Sequence, residues 1–198
     1  MLVSAWNYEL AFYDRRNRAN SFLQEMKASF FSVPACAALG LIKPAAASLR
    51  TGVESALYYS FFYNHPAELD TLHRNEKFYL SKNEIVEYHN IHTQSFPSRQ
   101  EALKFLGELN HWYSYISAII HGQIPGVWTS HSLLDTGFEN EASAAVSKEF
   151  KTAVRIVNKL FLSIAQRDMW EGLSSHGRQL FLSEIEGRTV RQLGLSVI

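Results

Sequence analysis

Along most of the chain apolar residues recur at intervals of three and four, and the alternation that marks strands is scarce. Trp6, Leu10, Tyr13, Phe22, Leu23, Met26 and Phe30 place a first helix over about 4–32. Pro34 should end it, because a proline biases its predecessor out of the helical region. After a short helical turn, Pro44 is well placed to open a second long helix running to about Asn64, ahead of Pro66. Ser81 with Glu84 forms a capping box for a helix over about 82–92, and Ser98 with Glu101 repeats the signal. The helix beyond Ser98 should reach His121 before Gly122, with a bend near Asn110. Residues 122–139 have the Gly, Pro, Ser and Asp mixture of a surface connection. Val146, Phe150, Val154, Val157, Phe161 and Ile164 share one face of a helix over about 140–168. Two short helices separated by Gly187 should occupy 174–198. The pattern predicts an all-α protein, an antiparallel bundle of four long helices plus short additional ones. It reads as one domain over 1–198, with the core bundle at about 1–168 and a C-terminal appendage at about 169–198.

Charge is missing from two of these helices. Between Lys43 and Glu68 the only formally charged residues are Arg50 and Glu54, so this helix belongs at the centre of the bundle. Arg50 and Glu54 are four apart and share a face, in the order that supports an exposed helix less well. After Glu108 no Asp, Glu, Lys or Arg occurs until Asp135. In that stretch Tyr113, Ser117 and His121 fall at steps of four and make one polar stripe. His121 alone on it titrates near neutral pH. Buried polar groups need partners, since an unpaired one costs roughly 1–3 kcal/mol. The five residues are therefore expected to meet, either as a structural network fixing helix register or as a catalytic or ligand-binding cluster.

Composition narrows the setting. Lys plus Arg equals Asp plus Glu at 19 each, so no global charge announces a nucleic acid or a membrane. The single cysteine, Cys36, excludes an internal disulfide framework and a thiolate zinc cluster. Glu9, Asp14 and Arg15 interrupt any signal-peptide core, and no window reaches the ~18 apolar residues of a membrane span. A cytoplasmic protein with no cofactor and no membrane association is expected.

The pattern Tyr113-x3-Ser117-x3-His121-Gly122, following a helix that carries Arg50 and Glu54, resembles the HEPN superfamily over residues 44–165. The resemblance implies a small all-α domain of bacterial defence or toxin–antitoxin systems, dimeric in many cases and often a metal-independent RNase. Catalytic members place an Arg shortly before the His, and here Ser114, Tyr115 and Ile116 stand in those places. Two functions follow from it. One is a non-catalytic interaction or regulatory subunit that binds a protein partner or forms a homodimer. The other is an RNase in which a 2′-hydroxyl attacks the adjacent phosphate. There His121 is the general acid or base and Arg50 stabilises the phosphorane, Tyr113 or Ser117 orients substrate, and Glu54 holds Arg50 or the His tautomer.

Weaker signals complete the inventory. Lys148, Lys151, Arg155 and Lys159 line the polar face of the 140–168 helix, where they could follow an RNA backbone or simply face solvent. Arg15, Arg16 and Arg18 allow the same two readings. Trp112 and Trp128 flank the Gly122–Gly126 loop and are the candidate interface aromatics. Tyr58, Tyr59, Phe61, Phe62 and Tyr63 read as core packing, or as a stacking surface where a ring is exposed. His89 and His92 lie three apart, but a metal would need a third ligand such as His73, and no metal site is assigned.

Overall fold

The computed structural model describes residues 1–124 and 140–196. They form eleven helices and no strand. In chain order these are α1 (Leu2–Tyr13), α2 (Asn20–Ala38), α3 (Ile42–Phe62), α4 (Pro66–Arg74), α5 (Lys82–His92), α6 (Phe96–Ala102), α7 (Phe105–Ile120), α8 (Asn140–Ile164), α9 (Arg167–Glu171), α10 (Ser175–Leu182) and α11 (Gly187–Leu193). The all-α class read from the sequence is the class observed. None of these helices is long and apolar enough to cross a membrane.

The charge-poor helix α3 lies at the centre, with Leu49, Val53, Ala56, Leu57, Tyr59 and Phe62 all buried. It packs against α2, α7 and α8. Gly52 lets α2 come close, since a Cβ there would sit 2.7 Å from ring carbons of Phe30. Helix α7 buries Phe105, Leu109, Trp112, Ile116 and Ile119, an apolar stripe at helical spacing. The C-terminal helices, expected as an appendage, reach the same core. Phe181 of α10 stacks on Trp6 of α1 with centroids 3.6 Å apart. Asn158 joins them, accepting from Trp6 Nε1 at 2.8 Å and donating to the Phe181 carbonyl at 3.0 Å.

Three boundaries differ from the sequence reading. The helix expected over 4–32 is two helices, because asparagines between them satisfy the backbone another way. Asn17 donates to the Tyr63 carbonyl and accepts from the Ala19 amide, and Asn20 donates to the Asp14 carbonyl. Pro34 does not end α2. Its ring is exposed, and the helix runs on to Ala38, where Gly40 (φ 70°) closes it with the Leu41 amide on the Cys36 carbonyl. The Ser98–Glu101 box does not form either. Ser95 is the N-cap of α6, and Ser98 bonds back to the Ser95 carbonyl. The long helix bends at Lys104 (φ 51°) rather than Asn110, held by Phe96, Leu103 and Phe105 buried on both sides of the break. By contrast, the Ser81–Glu84 capping box is complete and opens α5 at Lys82.

Candidate functional site

Helices α3 and α7 run antiparallel, and one turn of each polar stripe comes together. Arg50 Nε donates to Glu54 Oε1 at 3.0 Å, and Arg50 Nη2 donates to the Tyr113 hydroxyl at 2.8 Å. The Tyr113 hydroxyl in turn donates to Glu54 Oε1 at 2.5 Å. The guanidinium carbon also lies 4.7 Å from the Tyr113 ring centroid. Burial alone would lower the Arg50 pKa, but the Glu54 carboxylate and the Tyr113 oxygen outweigh it and raise the pKa. Burial, with the hydrogen bond to Glu54 second, pushes the Tyr113 phenol up to about 12. The cluster is thus an Arg50–Glu54 ion pair bridged by the Tyr113 hydroxyl, with Arg50 Nη1 left over.

The other two residues of the expected quintet do not join. Ser117 spends its hydroxyl on the Tyr113 carbonyl of its own helix, at 2.6 Å. His121 is the exposed C-cap of α7, eight residues past Tyr113 and so roughly 12 Å further along the axis. Arg50 and Glu54 occupy a single turn of α3, about 6 Å of its axis, so only the facing turn of α7 is within their reach. Lys43 of α3 reaches the residue that follows His121, its Nζ lying 4.0 Å from the position of a Cβ at Gly122.

Arg50, Glu54 and Tyr113 all line a cleft of about 520 Å³ between α2, α3, α7, α5 and the segment before α5. Phe22, Tyr58, Leu80 and Ile85 supply apolar walls, and Tyr79, 70 % exposed, stands at the rim. Lys82 also lines it. Its ammonium donates to Asn110 Oδ1 and lies 5.5 Å from the Tyr113 ring centroid. Burial lowers its pKa. Sequence reading missed Lys82, whose capping-box position gave no sign that it would be folded over α7.

The remaining candidates fall elsewhere. Arg155 and Lys159 are both engaged by Glu108 of α7, at 2.6 Å each, and together they bring the Glu108 pKa down against the effect of its burial. Lys148 and Lys151 are exposed and have no such carboxylate among the described residues. Trp112 is 2 % exposed and belongs to the core, because it shares its face with Leu109 and Ile116. An interface role for it is corrected. Trp128 lies outside the described residues. Arg15 and Arg16 are exposed, and Arg18 pairs with Asp70.

Two buried groups gave little signal in the sequence. Ser60 donates to the Leu57 carbonyl, so His89 Nε2 donates to Ser60 at 3.0 Å and His89 Nδ1 accepts from Thr93 at 2.9 Å. Burial, with the charge of His65 second, lowers His89 to about 4. Arg99, 8 % exposed, donates to the Leu193 and Ala165 carbonyls and so caps the C-terminal ends of α11 and α8. Among the described residues, no group of three or more His, Cys, Asp and Glu is placed to hold a metal ion.

No family model matches the chain, and neither a curated protein nor a solved structure does.

Proposed function

We propose that this chain is a binding or regulatory subunit rather than a nuclease, and that it works through the cleft beside Arg50. What carries the reading is the closed Arg50–Glu54–Tyr113 triangle lining an open cleft. A phosphorane-stabilising guanidinium needs its fork free for the developing charge, and a general acid or base must come within hydrogen-bond reach of the same substrate. Here two nitrogens of the fork are committed to Glu54 and Tyr113, and the histidine stands two turns along α7. The defence or toxin–antitoxin setting, the protein partner and the homodimer are supported by the HEPN-like motif residues alone.

The test pairs an activity with an assembly. Total cellular RNA is incubated in EDTA with the purified chain, with His121→Ala and with Arg50→Ala. The expected result is no cleavage by any of them. Co-expression with the products of its neighbouring genes, followed by light scattering, should give a defined complex or a homodimer. RNA cleavage that both substitutions abolish in folded protein would overturn the proposal, as would a chain that stays monomeric throughout.

A second reading has one observation in its favour. His121 is exposed, and the Lys43 ammonium lies 4.0 Å from the position of a Cβ at the adjacent Gly122, so a nuclease could pair these two instead of using Arg50. Cleavage lost in His121→Ala and Lys43→Met but kept in Arg50→Ala is the outcome specific to it.

A further inference from the structure

The cleft has a composition that specifies more than binding in general. Its volume of about 520 Å³ falls in the range of small-molecule sites, roughly 300–1,000 Å³. The walls are aromatic and aliphatic, with Phe22 edge-on to Tyr58 at 5.4 Å and Tyr79 exposed at the mouth. An exposed ring at the rim of an apolar cleft leaves a face on which a flat ligand can lie.

The lining carries two carboxylates, Glu25 and Glu54, and two cations, Arg50 and Lys82, and they are unevenly paired. Glu54 already neutralises Arg50 at 3.0 Å. Glu25, the other carboxylate in the lining, is exposed and accepts from the Ser29 hydroxyl. Lys82 is half-buried, and its partners among the described residues are the neutral Asn110 side-chain oxygen and the Tyr113 ring, over which its ammonium lies 5.5 Å from the centroid. No carboxylate among the described residues lies within ion-pairing distance of it. A partly desolvated ammonium without a counter-charge favours an incoming anion, because the ligand supplies the pairing that the fold withholds. Arg50 Nη1, which makes no hydrogen bond among the described residues, provides a further donor in the same lining.

We infer that the cleft between α2, α3 and α5 binds a small aromatic anion, its flat body against Phe22, Tyr58 and Tyr79 and its acidic group on Lys82. The inference rests on the reading of the chain as a binding subunit and gives that subunit a chemical signal to respond to. It is a non-covalent association, and the acidic group could be a carboxylate, sulfonate or phosphate.

The experiment uses two dyes of similar shape, 8-anilinonaphthalene-1-sulfonate, an anion, and N-phenyl-1-naphthylamine, which is neutral. Each is titrated by fluorescence into the full chain, into Lys82→Met and into Tyr79→Ala, with folding checked by circular dichroism. Lys82→Met keeps the apolar stem and removes the charge, so it should weaken the anionic dye about tenfold and leave the neutral dye unchanged, as loss of one charge-assisted hydrogen bond requires. Tyr79→Ala, at a position 70 % exposed, should weaken both. Phe31→Ala removes an exposed ring on the far part of α2 and should change neither. Loss of both dyes alike in Lys82→Met, or no effect of Lys82→Met and Tyr79→Ala, overturns the inference. These outcomes are independent of the RNA assay, so failure of the cleft assignment is distinguishable from failure of the non-catalytic reading.

Discussion

Acidification should destabilise this protein through His89 in a way that one substitution removes. The ring is 3 % exposed and held neutral between Ser60 and Thr93, with its pKa lowered from 6.5 to about 4. The folded state therefore resists the proton while the unfolded chain takes it near pH 6.5. The sign follows directly: the contribution is fully present above pH 6.5, is lost as pH falls towards 4, and changes no further below that. At about 1.36 kcal/mol per unit, the complete loss is about 3 kcal/mol, of which about 2.5 kcal/mol has gone by roughly pH 4.5. That is a large part of the stability of a domain, typically about 5–15 kcal/mol. The assay is urea unfolding followed by circular dichroism at several pH values, on wild type and on His89→Gln, which can still hydrogen-bond but does not titrate. Carboxylates titrate in both proteins, so the difference between the two pH profiles isolates His89. Wild type should lose about 2.5 kcal/mol more than the variant between roughly pH 7.5 and pH 4.5. Superimposable profiles would refute the argument and mean that the ring is protonated in the folded protein as easily as in the unfolded chain.

Two further substitutions test the packing. Asn158→Ala leaves the buried Trp6 indole N–H and the Phe181 carbonyl without their partner and should cost about 1–3 kcal/mol in urea unfolding. A change under about 0.5 kcal/mol would show that these groups are satisfied otherwise. Gly52→Ala places a Cβ against the Phe30 ring at 2.7 Å, so despite alanine's better helix propensity it should destabilise by about 1–3 kcal/mol. Combining it with Phe30→Leu should recover part of that loss, and a Gly52→Ala protein more stable than wild type would contradict the close approach of α2 to α3.

The sequence by itself determined the all-α class, the central place of α3 and the N-terminus of α5. Each of these rests on interactions within about one helical turn or on the average polarity of a whole helix, and both are readable along the chain. It also marked Arg50, Glu54 and Tyr113 as polar residues on otherwise apolar helices, because charge is so rare around them. Only the tertiary structure decided which of the marked residues touch. The turn of α7 that faces Arg50 and Glu54 selects Tyr113 from its stripe and leaves Ser117 and His121 out, and spacing along one helix carries no information about its register against another. The same holds for Lys82 and for the split of the first helix at Asn17. Both depend on partners 28 and 46 residues away, Asn110 and the Tyr63 carbonyl, which no local pattern announces. Trp112 shows the converse limit. An aromatic near a loop reads as a surface anchor, yet Trp112 shares its helix face with Leu109 and Ile116, and that face is the one α7 turns to the core.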